Sequence, residues 1–305
     1  MNLGLVARVD LRQAVILASG GGEVACRIRA RLMDRAKRLR GALVAGDEVE
    51  WDTDEQGTAV VEEVLPRRNA FTRRAAGFPG REQVLAANLD EVVVVASLAR
   101  PSLREGLLDR VAVAAEGAGL PLRIVLSKVD LATAEESAQP ADLYRAIGYP
   151  VHVVSALEGH GVAELYAGIR GRRSLVVGHS GVGKSTLLNA FEPSLGLRVG
   201  EVNAVTGRGR QTTAAAVLVR LADGTEVVDS PGFRAFAPWG LSREELFHTF
   251  RDLRGLAAGC RFRDCGHVAE PGCAVRAAVE AGRASRERYE SYARLREELE
   301  QEGEA

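Results

Sequence analysis

The stretch GHSGVGKST, Gly178 to Thr186, constrains this chain more than any other. It fits G-x-x-x-x-G-K-[ST], follows the apolar run SLVVG and opens the helical segment STLLNAF. That strand–loop–helix context is what the motif requires. Gly178, Gly181 and Gly183 let the backbone N–H groups of His179, Ser180 and Val182 turn toward phosphate, and the helix N-terminus adds its dipole. Lys184 neutralises the β- and γ-phosphates, Ser185 offers a hydroxyl to Mg²⁺, and Thr186 completes the turn. Lysine and arginine together number 40, yet only Lys37, Lys128 and Lys184 are lysine. A lysine here is therefore a choice, because a compact ammonium does work that a guanidinium fork cannot.

The surrounding pattern supplies a matching sheet. VVVVAS (Val92–Ser97), RIVLS (Arg123–Ser127), HVVSA (His152–Ala156) and SLVVG (Ser174–Gly178) alternate with helical segments. Buried strands alternating with helices mean a parallel sheet covered on both faces. SLREGLLDRVAVAAEGAG is expected to open on a Ser102–Glu105 capping box. VLVRLADGTEVVDS reads as an antiparallel hairpin, Val217–Leu221 and Thr225–Asp229, around a DG turn.

Three short motifs sit at strand ends. DSPG, Asp229 to Gly232, suits a Mg²⁺-holding carboxylate followed by a glycine N–H for the γ-phosphate. SKVD, comprising Ser127, Lys128, Val129 and Asp130, resembles the N-K-x-D motif of GTPases. A carboxylate at Asp130 accepts from guanine N1–H and N2–H₂, donors that adenine lacks there. SAL, comprising Ser155, Ala156 and Leu157, resembles the S-A motif that touches guanine O6. The order is unusual: SKVD and SAL precede the P-loop, while Thr212 and DSPG follow it. The cyclic order of a GTPase is kept and its starting point has moved. Three strands before the P-loop and three from it onward make one complete, circularly permuted sheet. GRGRQTT, Gly207 to Thr213, occupies the switch I position, where Thr212 or Thr213 can complete the Mg²⁺ shell. Phe233 stands where many GTPases place a water-orienting Gln.

The flanks differ from this centre. Residues 1–72 hold short alternating runs split by glycine-rich turns, as in a small OB-type barrel. Arg27, Arg29 and Arg31 are expected on one face of a strand, and the stretch to Arg40 is strongly basic. A basic barrel face is a plausible phosphate-tracking surface. After Pro238 the chain turns helical, with a capping box at Ser242–Glu245. Cys260, Cys265, His267 and Cys273 supply three thiols and one imidazole, a complete tetrahedral set for one structural Zn²⁺. Cys26 reads as a small core residue, and His248 as a helix-surface one. The apolar fraction of 46% and charged fraction of 27% are those of a globular protein. The longest apolar run falls short of a membrane span, and the N-terminus lacks a signal-peptide core. The expectation is a cytoplasmic protein. With a net charge of −1, any nucleic-acid surface must be local.

SKVD, GHSGVGKST, GRGRQTT, DSPGF and the cysteine cluster together resemble the ribosome small-subunit-dependent GTPase A family (RsgA) over nearly the whole chain. The resemblance implies three domains: 1–72 an OB-fold RNA-binding barrel, 73–240 a circularly permuted GTPase domain, 241–305 a helical zinc-binding domain. It implies GTP hydrolysis to GDP stimulated by the small ribosomal subunit, ribosomal RNA as partner, and a monomer outside the ribosome. Ser127 stands where the family usually has Asn, and Gln211 where it usually has His before the paired threonines. The expected catalytic group is thus Gln211, with Lys184 and Thr212. Two other classes remain: a regulatory GTPase acting on proteins, and an RNA-binding module with a non-hydrolysing nucleotide site.

Overall fold

The computed structural model describes residues 1–10, 12–32, 43–75, 80–197 and 216–303. Five strands, β1 (Asn2–Asp10), β2 (Gln13–Ala18), β3 (Glu23–Ile28), β4 (Glu48–Thr53) and β5 (Ala59–Val64), close a barrel in the order β1-β2-β3-β5-β4. Its interior holds Val6, Ile16, Cys26, Val49 and Val61. Cys26 is thus a core residue, and burial pushes its thiol up to about 11. The barrel closes through only two parallel pairs, Arg27 with Val60 and Ile28 with Val61.

That short closure corrects one expectation. β3 has no partner beyond Ile28, so the chain leaves the strand and Ala30–Leu32 turn helical. Arg27 alone of the three arginines lies in the strand. Arg29 instead grips the Glu62 carboxylate through Nε at 2.6 Å, and Arg31 donates to the Glu62 carbonyl at 2.9 Å.

The hairpin β6 (Ala70–Arg74) and β7 (Glu82–Ala87) carries the chain from barrel to sheet, so residue 72 falls inside β6. The sheet then runs β8 (Glu91–Ser97), β9 (Leu122–Ser127), β10 (Val151–Val154), β11 (Arg173–Gly178), β12 (Val217–Arg220) and β13 (Glu226–Asp229), in the order β10-β9-β8-β11-β13-β12. All pairs are parallel except β12 with β13. β8 is buried throughout, as a strand covered on both faces must be. Helices Glu105–Gly117 and Ala134–Ala146 cover one face, and Val162–Ile169 and Lys184–Phe191 the other. Strand order reverses between β8 and β11, which opens a crevice beyond their C-terminal ends.

The capping box expected at Ser102 is absent. The Glu105–Gly117 helix starts on Arg104, with no side-chain cap. The chain first crosses the P-loop, with Ser97 Oγ donating to the Pro101 carbonyl at 2.6 Å, so Ser102 sits in that turn, short of the helix. The Ser242–Glu245 box is present on Arg243–His248, and Thr133–Glu136 form another on Ala134–Ala146.

The C-terminal region packs Arg243–His248, Arg251–Arg254, Ala274–Glu280 and Arg286–Gly303 around Phe247, Phe250 and Tyr292. His248 is exposed. Buried Arg288 joins this region to the Glu105–Gly117 helix that covers the sheet: it donates to Asp109 Oδ1 at 2.6 Å and to Asp252 Oδ1 at 2.8 Å. Tyr144 Oη also donates to Asp109, at 2.7 Å. Among the described residues no helix is long and apolar enough to cross a membrane.

Candidate functional site

Every strand-end motif of the sheet opens on one cavity of about 420 Å³. β11 delivers Ser180 to Thr186, β9 delivers Ser127, Lys128 and Asp130, the end of β10 delivers Ala156 and Leu157, and β13 delivers Asp229 and Gly232. Gly178, His179, Val129 and Ser155 belong to the same loops but do not line it. The chain order that looked scrambled is thus assembled by the sheet.

The P-loop takes its path from its glycines. Gly181 and Gly183 have φ of 81° and 98°, values that side chains with a Cβ rarely adopt. A Cβ at Gly178 would strike the Val95 carbonyl of the neighbouring strand. Lys184 Nζ is buried and donates to the Gly178 carbonyl at 3.2 Å. Burial pulls its pKa down, and Asp229 opposes that shift.

Ser127 does not face the cavity alone. Its hydroxyl donates to the Val182 carbonyl at 2.7 Å, tying the SKVD loop to the P-loop. The neighbouring Lys128 takes a left-handed φ of 61°. Its Nζ donates to the Gly181 carbonyl at 2.7 Å and to the Arg100 carbonyl. Two residues of SKVD therefore stitch both sides of the crevice together. Asp130 makes no hydrogen bond to another described residue and lines the cavity. It is not the N-cap of the next helix, which is Thr133.

Asp229 is the most perturbed acid here. Burial raises its carboxyl to about 6, with Lys184 opposing the shift, and its Oδ1 is buried without a hydrogen-bond partner among the described residues. An orphaned carboxylate oxygen beside a P-loop is a fit for the hydrated shell of Mg²⁺. Gly232 leaves no room for a side chain, since a Cβ there would sit 2.9 Å from Ser180 N and 3.2 Å from Lys184 Nζ. Phe233 turns away into the core beside Phe236. Gln211, Thr212 and Thr213 lie outside the described residues.

Sequence reasoning missed Arg100 and Leu131, which also line the cavity. Arg100 follows β8, one of the two strands at the reversal, and that position was the available signal. Leu131 and Leu157 are exposed by 48% and 80%, unusual for leucines, and both face this cavity.

The second cluster lies in the C-terminal region. The donor atoms of Cys260, Cys265, His267 and Cys273 all lie within 4.8 Å of one another, so the four can hold a metal ion. His267 Nδ1 is 3.5 Å from both Cys260 Sγ and Cys273 Sγ. Burial lowers the His267 pKa, which favours the neutral imidazole a metal needs. Burial and the neighbouring thiols push Cys265 up to about 12. Glu270 gathers the loop by accepting from the N–H groups of Gly266, Val268 and Ala269 at 2.7, 3.1 and 3.1 Å. Tyr289 and Tyr292 donate to the His267 and Gly266 carbonyls at 2.9 and 2.8 Å.

Comparison with known proteins agrees with this geometry. Residues 64–239 match the RsgA GTPase family model. A Gemmatimonas aurantiaca protein named small ribosomal subunit biogenesis GTPase RsgA is 42% identical over 283 residues, spanning 92% of this chain and 91% of its own. A Pseudomonas aeruginosa protein of that name is 40% identical, spanning 91% and 80%. The crystal structure of YjeQ from Thermotoga maritima superposes with a TM-score of 0.73 at 32% identity, covering 98% of each chain. That of YloQ, titled a circularly permuted GTPase, gives 0.70 at 28% identity over 99% of this chain and 96% of that one. With a permuted GTPase sheet, one shared cavity and a match over most of its length, the chain belongs to the RsgA family of GTP hydrolases.

Proposed function

We propose that this GTP hydrolase assists late assembly of the small ribosomal subunit, binding the subunit and its RNA and turning over GTP faster there. The observation that carries the reading is the single cavity onto which P-loop, SKVD, SAL and DSPG all open. The similarity to relatives named for small-subunit biogenesis supplies the assembly context.

In this reading Gly178 to Thr186 cradle the triphosphate. Asp130 accepts from the guanine N–H groups, Lys128 lies along the base, and Ser155, Ala156 and Leu157 close its edge. Ser127 and Val129 hold the loop in register. Lys184 spreads the charge that builds on the phosphoryl oxygens. The Gly232 N–H meets the γ-phosphate. Ser185, Thr212 and Asp229 would hold Mg²⁺, which when bound would supply positive charge against the phosphates. Phe233 is apolar and buried, so the attacking water is oriented from elsewhere, and Gln211 is our candidate. Gln211→Ala is expected to abolish most of the subunit-stimulated rate and spare GTP binding.

The metal we assign to Cys260, Cys265, His267 and Cys273 is one structural Zn²⁺, because three thiolates and an imidazole form its preferred tetrahedral shell. The barrel and this knuckle would be the two modules that hold ribosomal RNA. Arg29 and Arg31 share Glu62, so Arg27 is the strand arginine left for phosphate. The protein is read as a cytoplasmic monomer.

The deciding measurement is GTP turnover by the purified protein with and without small subunits. A rise with small subunits alone supports the reading. An equal rise with large subunits, or none at all, removes the assembly role. Leu5 and Ala45 of the barrel are buried in one cluster with the sheet, so Arg27→Glu tests RNA binding more cleanly than truncation. Its effect is expected to shrink as salt rises.

A further inference from the structure

The β6–β7 hairpin takes part in none of the steps above, yet it grips the segment after DSPG at three points. Phe71 stacks on Phe236 with ring centroids 5.7 Å apart and planes 24° from parallel. Arg74 N–H donates to the Ala237 carbonyl at 2.9 Å. Between them, the Arg73 guanidinium lies over the Phe233 ring, 6.0 Å from its centroid. Arg73 is half-buried, and the one hydrogen bond of its guanidinium among the described residues runs from Nε to Gln83 Oε1 at 3.0 Å. No ion pair joins it to a described carboxylate. A desolvated guanidinium kept without a counter-charge is costly, and burial lowers its pKa accordingly. The sequence has accepted that cost at a place where the guanidinium lies within cation–π reach of an aromatic ring.

The ring beneath the guanidinium matters. Phe233 N–H donates to the Gly178 carbonyl at 3.3 Å, which docks the residue after Gly232 directly on the P-loop. Phe236 covers another side of the ring, with centroids 5.2 Å apart. Gly232 itself is wedged against Ser180 and Lys184. The direction of the Gly232 N–H is therefore set by how firmly Phe233 is held.

We propose that Arg73 is a positioning residue for the γ-phosphate: acting through the Phe233 ring, it fixes the Gly232 amide that meets the transferred group. This rests on the assignment of Gly232 made above. Arg73 adds nothing to the base or to the α- and β-phosphates, and its effect is confined to ligands that carry a γ-phosphate.

Arg73→Ala is expected to lower kcat about tenfold and to weaken a non-hydrolysable GTP analogue, with GDP affinity within about twofold of the parent, because only a donor aimed at the reacting group is misplaced. Arg73→Lys keeps the charge and loses the planar face, so it is expected to behave like the alanine variant. In a Phe233→Ala background, Arg73→Ala is expected to cost little more, since the two act as one unit. Gln83→Ala frees the guanidinium without removing it, and gives a smaller loss of the same kind should Arg73→Ala fold poorly. Gly232→Ala is the control. If Gly232→Ala loses the GTP-over-GDP preference and Arg73→Ala keeps it, the inference fails and the site assignment stands. If Gly232→Ala keeps the preference too, the site assignment itself is wrong. Full rescue by lysine, or a loss that adds fully to Phe233→Ala, would also overturn the role.

Discussion

The nucleotide cavity and the cysteine knuckle hold their shapes by opposite means. The cavity is assembled from loops at the ends of five strands, drawn from residues far apart in sequence. Its walls stand on sheet hydrogen bonds and on two apolar clusters, one on each face. The knuckle comes from one local stretch, Cys260 to Cys273, and its interior is sulfur and imidazole. The cavity is thus preformed around whatever binds, whereas the knuckle depends on what joins its four donors. Cost follows the same division. The cavity keeps one buried carboxylate at a raised pKa, while the knuckle crowds three sulfurs and an imidazole within 4.8 Å, with the Cys265 thiol pushed up by burial.

Removing the metal is the largest perturbation this comparison predicts. If the knuckle holds the proposed Zn²⁺, chelation or Cys273→Ser should expose the Cys260–Cys273 loop to protease, because a structural zinc contributes on the order of 10 kcal/mol to folding small segments. GDP affinity should change little. A knuckle that stays protected without metal would show that Glu270 and the two tyrosines suffice, and the contrast would collapse.

Cutting the link between the two regions comes next. Arg288→Ala would strand Asp109 and Asp252 without their cation, and breaking a buried pair in this way costs about 3–5 kcal/mol. Chemical denaturation should then show the C-terminal region unfolding ahead of the sheet. One unchanged cooperative transition would mean that the apolar contacts alone bind the regions together.

A third change should touch ligand and spare the fold. Asp130 makes no hydrogen bond within the described protein, so Asp130→Asn should leave thermal stability near the parent's. GTP affinity should fall on the order of 100-fold, the worth of lost hydrogen bonds to a charged acceptor. Preference should move toward xanthosine triphosphate, whose carbonyl accepts from the new amide. Competition binding with both nucleotides decides it, and an unchanged preference would place the base elsewhere.

How much of this was legible follows from how local each signal is. The six sheet strands were readable because each is a short, apolar run ended by a motif or turn. The four ligands were readable because they lie close together in sequence. β1 was not: its burial runs four residues together, Gly4 to Ala7, with a bulge between Val6 and Arg8, so no alternation marks it. Its partners lie on both sides, and Leu5 faces the sheet cluster while Val6 faces the barrel. Arg288 sits in a helix so rich in charge that it reads as solvated, and only tertiary packing makes it buried. Arg73 was hidden similarly, because its partner Phe233 is 160 residues away in the chain. Ser102 carried the spacing of a capping box, but the chain's path over the P-loop won.

The smallest predicted effect asks whether the preformed cavity stores strain for its ligand. Asp229 is buried beside Lys184, and its carboxyl is raised to about 6 from an ordinary value of 3.8. The unfolded chain ionises this group first, as pH rises through about 4. Between there and about 6 the folded protein holds the proton that the unfolded chain has released. Stability is therefore lost across that window, and the penalty is fully present above it. For a shift of this size the penalty is at most about 3 kcal/mol. Asp229→Asn removes it, so the nucleotide-free variant should melt higher than the parent at pH 8, and the gain should vanish below about pH 4. Binding should run the other way. The ionised form is the one that suits a cation shell, so affinity of the parent for GTP with Mg²⁺ should strengthen as pH rises through about 6, and the variant should lack that rise. Melting curves and binding isotherms across pH 4 to 8 measure both. An asparagine variant with no stability gain at pH 8 would mean that water already satisfies the carboxylate, and that the cavity is no more strained than the knuckle.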